Sequence, residues 1–427
     1  MSDRNMHSSR RKFVTAAGAT GALALAGCTD FIDDGSDPSG NGGGGDGGGS
    51  TNGGGVDTVY IGSNHPLTGP VSRDGNNANE AVKLAIERKN QQGGIESLDG
   101  AELEIIEGDN QGAQELGAEI TRELVQDGAD LVLGAVTSPA TMAATQQAER
   151  EQTPFVVTVG SDRDILTDRG LNWAYRPQPH QYQQAVNYAE THPQAIRDAG
   201  GTAETAGLIY VDNTFGQETV QGLNDHLSDN GVEVIEEQSY PFGPSSVDTQ
   251  VTAMAQADPD IVSITSYAPG GQLIAQAMEQ QGYRPDHIAC CTSTTFADPS
   301  VISDVGEFAN GISNTITTPD QRLDRYSEIS DAYQEATGNP IALVAGISYA
   351  ATEVAIAAIE QAGSAAPDDI NEALSNIRVE DHLLAMPPIE FNDEGENANA
   401  FAPVNQVQNM DTEVVAPEEY ATAEFQI

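Results

Sequence analysis

Apolar residues along this chain switch repeatedly between a two-residue and a 3.6-residue spacing, and no other feature limits its fold so tightly. Residues 58–63 (TVYIGS) alternate as a strand does, and 78–90 (ANEAVKLAIERKN) repeat as a helix does. The series continues with a strand at 103–108, a helix over 113–128, a strand at 129–136, a helix over 139–152 and a strand at 154–159. Strands that alternate with helices imply a parallel sheet covered on both faces. A second series begins near 206 (AGLIYVD) and runs through a helix at 217–231, a strand at 232–240, a helix at about 247–257, a strand at 260–266 and a helix at 270–282. Two such halves predict two similar lobes with a cleft between them, and ligands of open α/β sheets sit beyond the carboxyl ends of the strands. Three late helices, at 325–337, 348–363 and near 368–377, are expected to complete the first lobe.

The start of the chain is of another kind. Residues 8–28 (SSRRKFVTAAGATGALALAGC) place Arg10-Arg11 before an apolar run that is shorter than the roughly 20 residues of a membrane span. A charged start, a short apolar middle and small residues before a cut describe an export signal of the twin-arginine type over 1–28. Leu25-Ala26-Gly27-Cys28 is similar to a lipobox, which implies a lipidated Cys28 as membrane anchor; an ordinary signal with an incidental cysteine is the plainer alternative. Residues 29–55 are almost entirely Gly, Asp, Ser, Asn and Pro, a composition that buries no core and reads as a tether.

Charge narrows the partners. The formal net charge is −47, and loss of Arg4, Arg10, Arg11, Lys12 and Asp3 with the signal (four cations and one anion) leaves −50. Acidic residues are spread along the chain and lysines number three, a pattern similar to proteins of salt-loving organisms, in which molar salt shortens the Debye length to about 3 Å. Nucleic acid is excluded as a partner on this balance. Cys290 and Cys291 are neighbours, too strained a pair to bridge, and are expected to be buried as small apolar groups. The histidines show no metal-ligand spacing, so neither metal nor cofactor is expected. The folded part also has no G-x-S-x-G or S-x-x-K pattern, which speaks against an exported hydrolase.

Five segments in order, PLTGPVSRDG (66–75), NQQGGI (90–95), GAVTSPAT (134–141), LTDRG (166–170) and YVDNTFGQ (210–217), resemble the branched-chain amino-acid binding proteins. The resemblance runs from Val56 to the end and implies a type I periplasmic binding protein: two Rossmann-like lobes with parallel sheets, joined by a hinge of several crossovers. It sets the lobes at 56–178 plus 317–388 and 179–316 plus 389–427, with the hinge near 176–180 and 316–320. It also implies capture of a small solute outside the cell and delivery to an ABC transporter permease. A sensor that reports to a membrane receptor is the alternative within the same fold.

The resemblance assigns the site residue by residue. Thr137 and Ser138 precede a helix opened by Pro139, where free N–H groups and the dipole suit a carboxylate; a plain helix cap is the other reading. Gly160 would offer a carbonyl, with Ser161 beside it. The family's threonine falls on Asp162, whose carboxylate suits an ammonium or amide N–H or faces water. Phe215 and Tyr267 match aromatic residues of the cleft, with core packing the plainer reading of each alone. The glutamate that neutralises an amino-acid ammonium falls on Thr294, so the ammonium partner has moved or the ligand is an amide, urea or an aromatic acid. Asp74, with Arg73, lies in the loop after the first strand, where members vary the contact that sets ligand size; a solvated loop is the other reading.

Overall fold

The computed structural model describes residues 56–427; the segments expected to be an export signal, with Cys28, and a tether at 29–55 lie outside the described residues. The first series builds β1 (Thr58–His65), α1 (Ser72–Gln91), β2 (Glu102–Asp109), α2 (Gln114–Gln126), β3 (Leu131–Gly134), α3 (Ser138–Glu151), β4 (Phe155–Val157) and β5 (Ala174–Tyr175). Its strands pair in the order β2-β1-β3-β4-β5, all parallel. Every residue of β3 is buried, and successive side chains face opposite sides of the sheet, as a strand covered on both faces requires. Leu131 and Leu133 join the core under α1, while Val132 joins Leu124, Ala144 and Phe155 under α2 and α3. Each such side chain removed from water stabilises the fold by about 1.5–3 kcal/mol.

The chain then crosses to α4 (Gln181–Asp198), β6 (Thr205–Val211), α5 (Thr214–His226), β7 (Glu233–Tyr240), α6 (Asp248–Ala257), β8 (Ile261–Thr265), α7 (Ala268–Gln281), β9 (His287–Cys291), α8 (Pro299–Val305) and β10 (Ser313–Thr315). The second sheet reads β7-β6-β8-β9-β10, the same order as the first, which is what a repeated β-α series produces. After β10 the chain returns as α9 (Asp324–Thr337), α10 (Leu343–Ala362) and α11 (Pro367–Ser375), followed by the short pair β11 (Arg378–Val379) and β12 (Ile389–Glu390). The hairpin β13 (Val404–Gln408) and β14 (Asp411–Ala416) finally adds two antiparallel strands beside β10. The molecule is thus a mixed α/β protein of two lobes with parallel sheets. Cys290 and Cys291 are fully buried on β9, and burial pushes both thiols up, so they stay protonated and unreactive.

Among the boundaries that differ from expectation, three are set by tertiary contacts. Helix α1 begins at Ser72 rather than 78, although SRDGNN is a weak helix former, because tertiary contacts override propensity. Ser63 donates to Asn79, Asn77 donates to Asp298, and a Cβ on Gly75 would lie 2.0 Å from the Pro66 carbonyl, so only glycine lets the first turn approach that loop. Helix α10 begins at Leu343 rather than 348. It is apolar on nearly every side because Leu343, Ile347, Val354 and Ile359 all sit in the first core, alongside α1. The lobe boundary expected at 388/389 lies later: β12 pairs with β11 and buries Ile389 in the first core, and residue 396 still bridges to residue 176.

Candidate functional site

In a sheet of order 2-1-3-4-5 the connections leave in opposite directions between the second and third strand positions, and a crevice opens at that switch point. In the first lobe it lies between β1 and β3, in front of α1 and α3. In the second it lies between β6 and β8, in front of α5 and α7. The two crevices face one another across a narrow cavity of about 30 Å³, room for a water or two while the lobes are together.

Both lobes and both crossovers contribute to its wall. Ser138 and Ser161 come from the loops after β3 and β4. Phe215 stands on the first turn of α5, Tyr267 directly before α7, and Thr292 and Thr294 after β9. The apolar part is Val136, Val159, Ile316, Leu343 and Ile347. The remaining wall, Gln178, Gln184 and Thr317, was not anticipated from sequence. No carboxylate, lysine or arginine is among these lining residues.

Local chemistry fixes each group. The N-cap of α3 is Thr137, one residue before the position anticipated, so Ser138 and Pro139 form the first turn. Thr137 is turned away from the cavity and donates its hydroxyl to the Gly112 carbonyl at 3.0 Å. Ser138 Oγ accepts the Asp162 N–H at 3.2 Å, which ties the loop after β4 to the start of α3. The Ser138 N–H meets the Tyr267 hydroxyl from the opposite lobe, and Asn213 donates to the same oxygen at 3.4 Å. Phe215 and Tyr267 stand 5.0 Å apart between ring centroids, tilted by 35°, a pair that presents one apolar surface to the cavity. Gly160 is behind the wall; its carbonyl accepts from Gln178 Nε2 at 3.4 Å.

Two carboxylates that sequence singled out lie beside the cavity and across the interlobe boundary. Asp162 accepts the Asp164 N–H at 2.9 Å and faces Glu218 of α5. Glu218 accepts the Arg163 N–H at 2.6 Å and the Gln181 side chain at 2.7 Å; its carboxyl is raised by burial and by Asp162. Asp162, Asp164 and Glu218 form a group of carboxylates within 4.8 Å of one another, and the Arg163 guanidinium pairs with Glu218 at 3.3 Å. Asp74, anticipated in a loop, is in the first turn of α1 and fully buried. It accepts the Thr294 hydroxyl from the other lobe at 3.0 Å. Burial, reinforced by Asp298, pushes its carboxyl up to about 7, against the Thr294 hydroxyl, the Ala268 N–H and Arg73, which lower it.

Behind the site, Arg176 is wholly buried. It makes a two-point ion pair with Glu396 and donates to the Asp162 carbonyl at 2.6 Å, so one side chain holds the first crossover, the loop after β4 and the segment after β12 together.

Residues 58–411 match the family model described as periplasmic binding protein. Among curated proteins, Leu/Ile/Val-binding protein homolog 7 of Brucella abortus (strain 2308) is 24% identical over 383 residues, covering 86% of this chain and 94% of that protein. Among solved structures, the branched-chain amino acid transporter substrate binding protein LivJ of Streptococcus pneumoniae, in complex with isoleucine, superposes with a TM-score of 0.71 at 19% identity, covering 84% and 100% of the two chains. A solute binding protein of an ABC transporter from R. palustris, in complex with benzoate, gives 0.71 at 17% identity, covering 87% and 99%.

Proposed function

Because the chain belongs to the periplasmic binding protein family, with a type I fold, we propose that it captures one small polar solute between its lobes, outside the cell, and delivers it unaltered to an ABC transporter permease. The observation that carries this reading is the convergence of loops from both switch points on one cavity, Ser138 and Ser161 from one side and Phe215, Tyr267 and Thr294 from the other. A site split between two hinged bodies closes when its ligand bridges them.

The described arrangement is a closed one. Thr294 donates to Asp74, Asn77 to Asp298, and Arg73 pairs with Asp304 at 3.1 Å, each contact joining α1 of the first lobe to the second. Opening breaks these contacts and exposes the cavity, and binding energy from the solute offsets the cost of bringing the lobes together. Nothing in this cycle needs a nucleophile or general acid. An amino acid or a related compound is the favoured ligand class, in keeping with relatives named for Leu/Ile/Val and a neighbour that holds isoleucine. Export through 1–28, a lipid on Cys28 and a tether at 29–55 would keep the domain beside its permease; two acyl chains are needed for a stable anchor.

The test is a melting screen in 2 M KCl with amino acids, amides, urea and small carboxylates. A solute that binds the folded state at a hundred times its Kd adds about 2.7 kcal/mol of stability. At least one compound should raise Tm and be recovered with its mass unchanged. A panel without any shift, or turnover of the bound compound, would refute capture and release.

A further inference from the structure

Three polar atoms on the cavity wall are buried and have no hydrogen-bond partner: Gln178 Oε1, Gln184 Oε1 and Thr317 Oγ1. Their residues are 2%, 3% and 1% exposed. The orientation of the two amides follows from their neighbours. Gln178 Nε2 faces the Gly160 carbonyl at 3.4 Å and Gln184 Nε2 faces the Pro179 carbonyl at 3.0 Å. Turning either amide over would set oxygen against oxygen, so the NH₂ groups belong on the backbone and the carbonyl oxygens are the free ends.

These atoms are also held in place. Gln178 lies between Pro177 and Pro179 in the first crossover, where both flanking residues have a fixed φ, and Asn397 donates to the Pro177 carbonyl at 2.7 Å. Thr317 belongs to the return crossover, and Gln184 to the first turn of α4. A buried acceptor without a donor is unfavourable, and here three such groups are gathered on one wall. A ligand that brings N–H donors there relieves all three.

The charge of that ligand group follows from what surrounds it. An anion would meet carbonyl oxygens and be repelled. An ammonium would lose its water and face only neutral dipoles on this wall, because neither interlobe carboxylate beside the cavity lines it: Asp74 is behind Thr294 and already accepts its hydroxyl, and Asp162 accepts the Asp164 N–H and faces Glu218. Building on the capture reading above, we infer that Gln178, Gln184 and Thr317 form a receptor for an uncharged N–H₂ group, so that the solute carries a primary amide or ureido function.

Isovaleramide, isovalerate and isoamylamine share one carbon skeleton and differ only in this group, and with urea they make the probe set for calorimetric titration in 2 M KCl. The amide should bind at least tenfold more tightly than the acid or the amine. Thr317→Val removes a hydroxyl that has no partner in the free protein, so it should leave Tm unchanged or higher while weakening the amide at least fivefold. Gln184→Leu should cut the amide-to-acid ratio toward one. Tighter binding of acid or amine, or an amide preference that survives both substitutions, overturns the inference while leaving solute capture intact. If neither these probes nor any amino acid binds in a Ser138-dependent way, the capture reading fails and this inference with it.

Discussion

The hydroxyl of Ser138 has one task already, accepting the Asp162 N–H, and it retains a proton and a lone pair for the cavity. Ser138→Ala should weaken solute binding by about 1 kcal/mol, roughly fivefold in Kd by titration calorimetry, and unchanged affinity would remove it from the site. Asp74 yields a pH prediction. Its carboxyl is raised from an ordinary 3.8 to about 7 in the closed form, so closure takes up a proton and is favoured where that proton is bound. Kd should therefore rise with pH between about 4 and 7 and level off above, with Glu218, raised in the same direction, extending the trend upward. Asp74→Asn should flatten the lower part of the profile; a wild-type Kd that is constant from pH 5 to 8 would show that Asp74 keeps its charge state on closing. Ser138 was legible as the start of a helix after a strand, and Phe215 and Tyr267 through the resemblance of their segments to the family's cleft. The sequence could not mark Gln178, Gln184 or Thr317, whose place on the wall depends on where two crossovers separated by over a hundred residues pass each other. The one local hint was a glutamine locked between two prolines.

At the level of elements, strands and helices with strong periodicity are where the spacing puts them, and the departures occur where tertiary contacts decide. The first turn of α1 is polar and glycine-containing, and it is helical because Asp74, Asn77 and Asn79 each find partners on other segments. The start of α10 is legible only once the core it enters is known. A Cβ on Gly346 would lie 2.3 Å from Pro319 of the return crossover, so α10 and the hinge are fitted to each other there. Arg176 joins three segments in the same way. Arg176→Leu leaves Glu396 buried without its partner and frees the loop that carries Ser161 and Asp162, so chemical denaturation should show a loss of about 3–5 kcal/mol. A loss below about 1 kcal/mol would mean that the pair is not needed to hold the crossover.

For the whole molecule, a net charge of −47 makes compactness depend on screening. Few cations offset it, and several of them are engaged, as Lys83 is with Glu80 and Glu107 and Lys89 with Glu360. Raising KCl from 0.1 to 2 M should raise Tm markedly, whereas a Tm independent of salt would mean that repulsion does not limit stability. The two-lobed plan was readable because the β-α series occurs twice; the lobe boundary near residue 389 was not, since β12 is placed by its pairing with β11 rather than by its own pattern. The claim on which the account rests is that one solute is held by both lobes at once. Its most direct test is calorimetric titration of the compound that raises Tm most into wild type, Ser138→Ala in the first lobe and Phe215→Ala in the second. Wild type should show one site per chain and each variant at least a fivefold weaker Kd; full affinity in either one would place the solute on a single lobe and contradict capture by both.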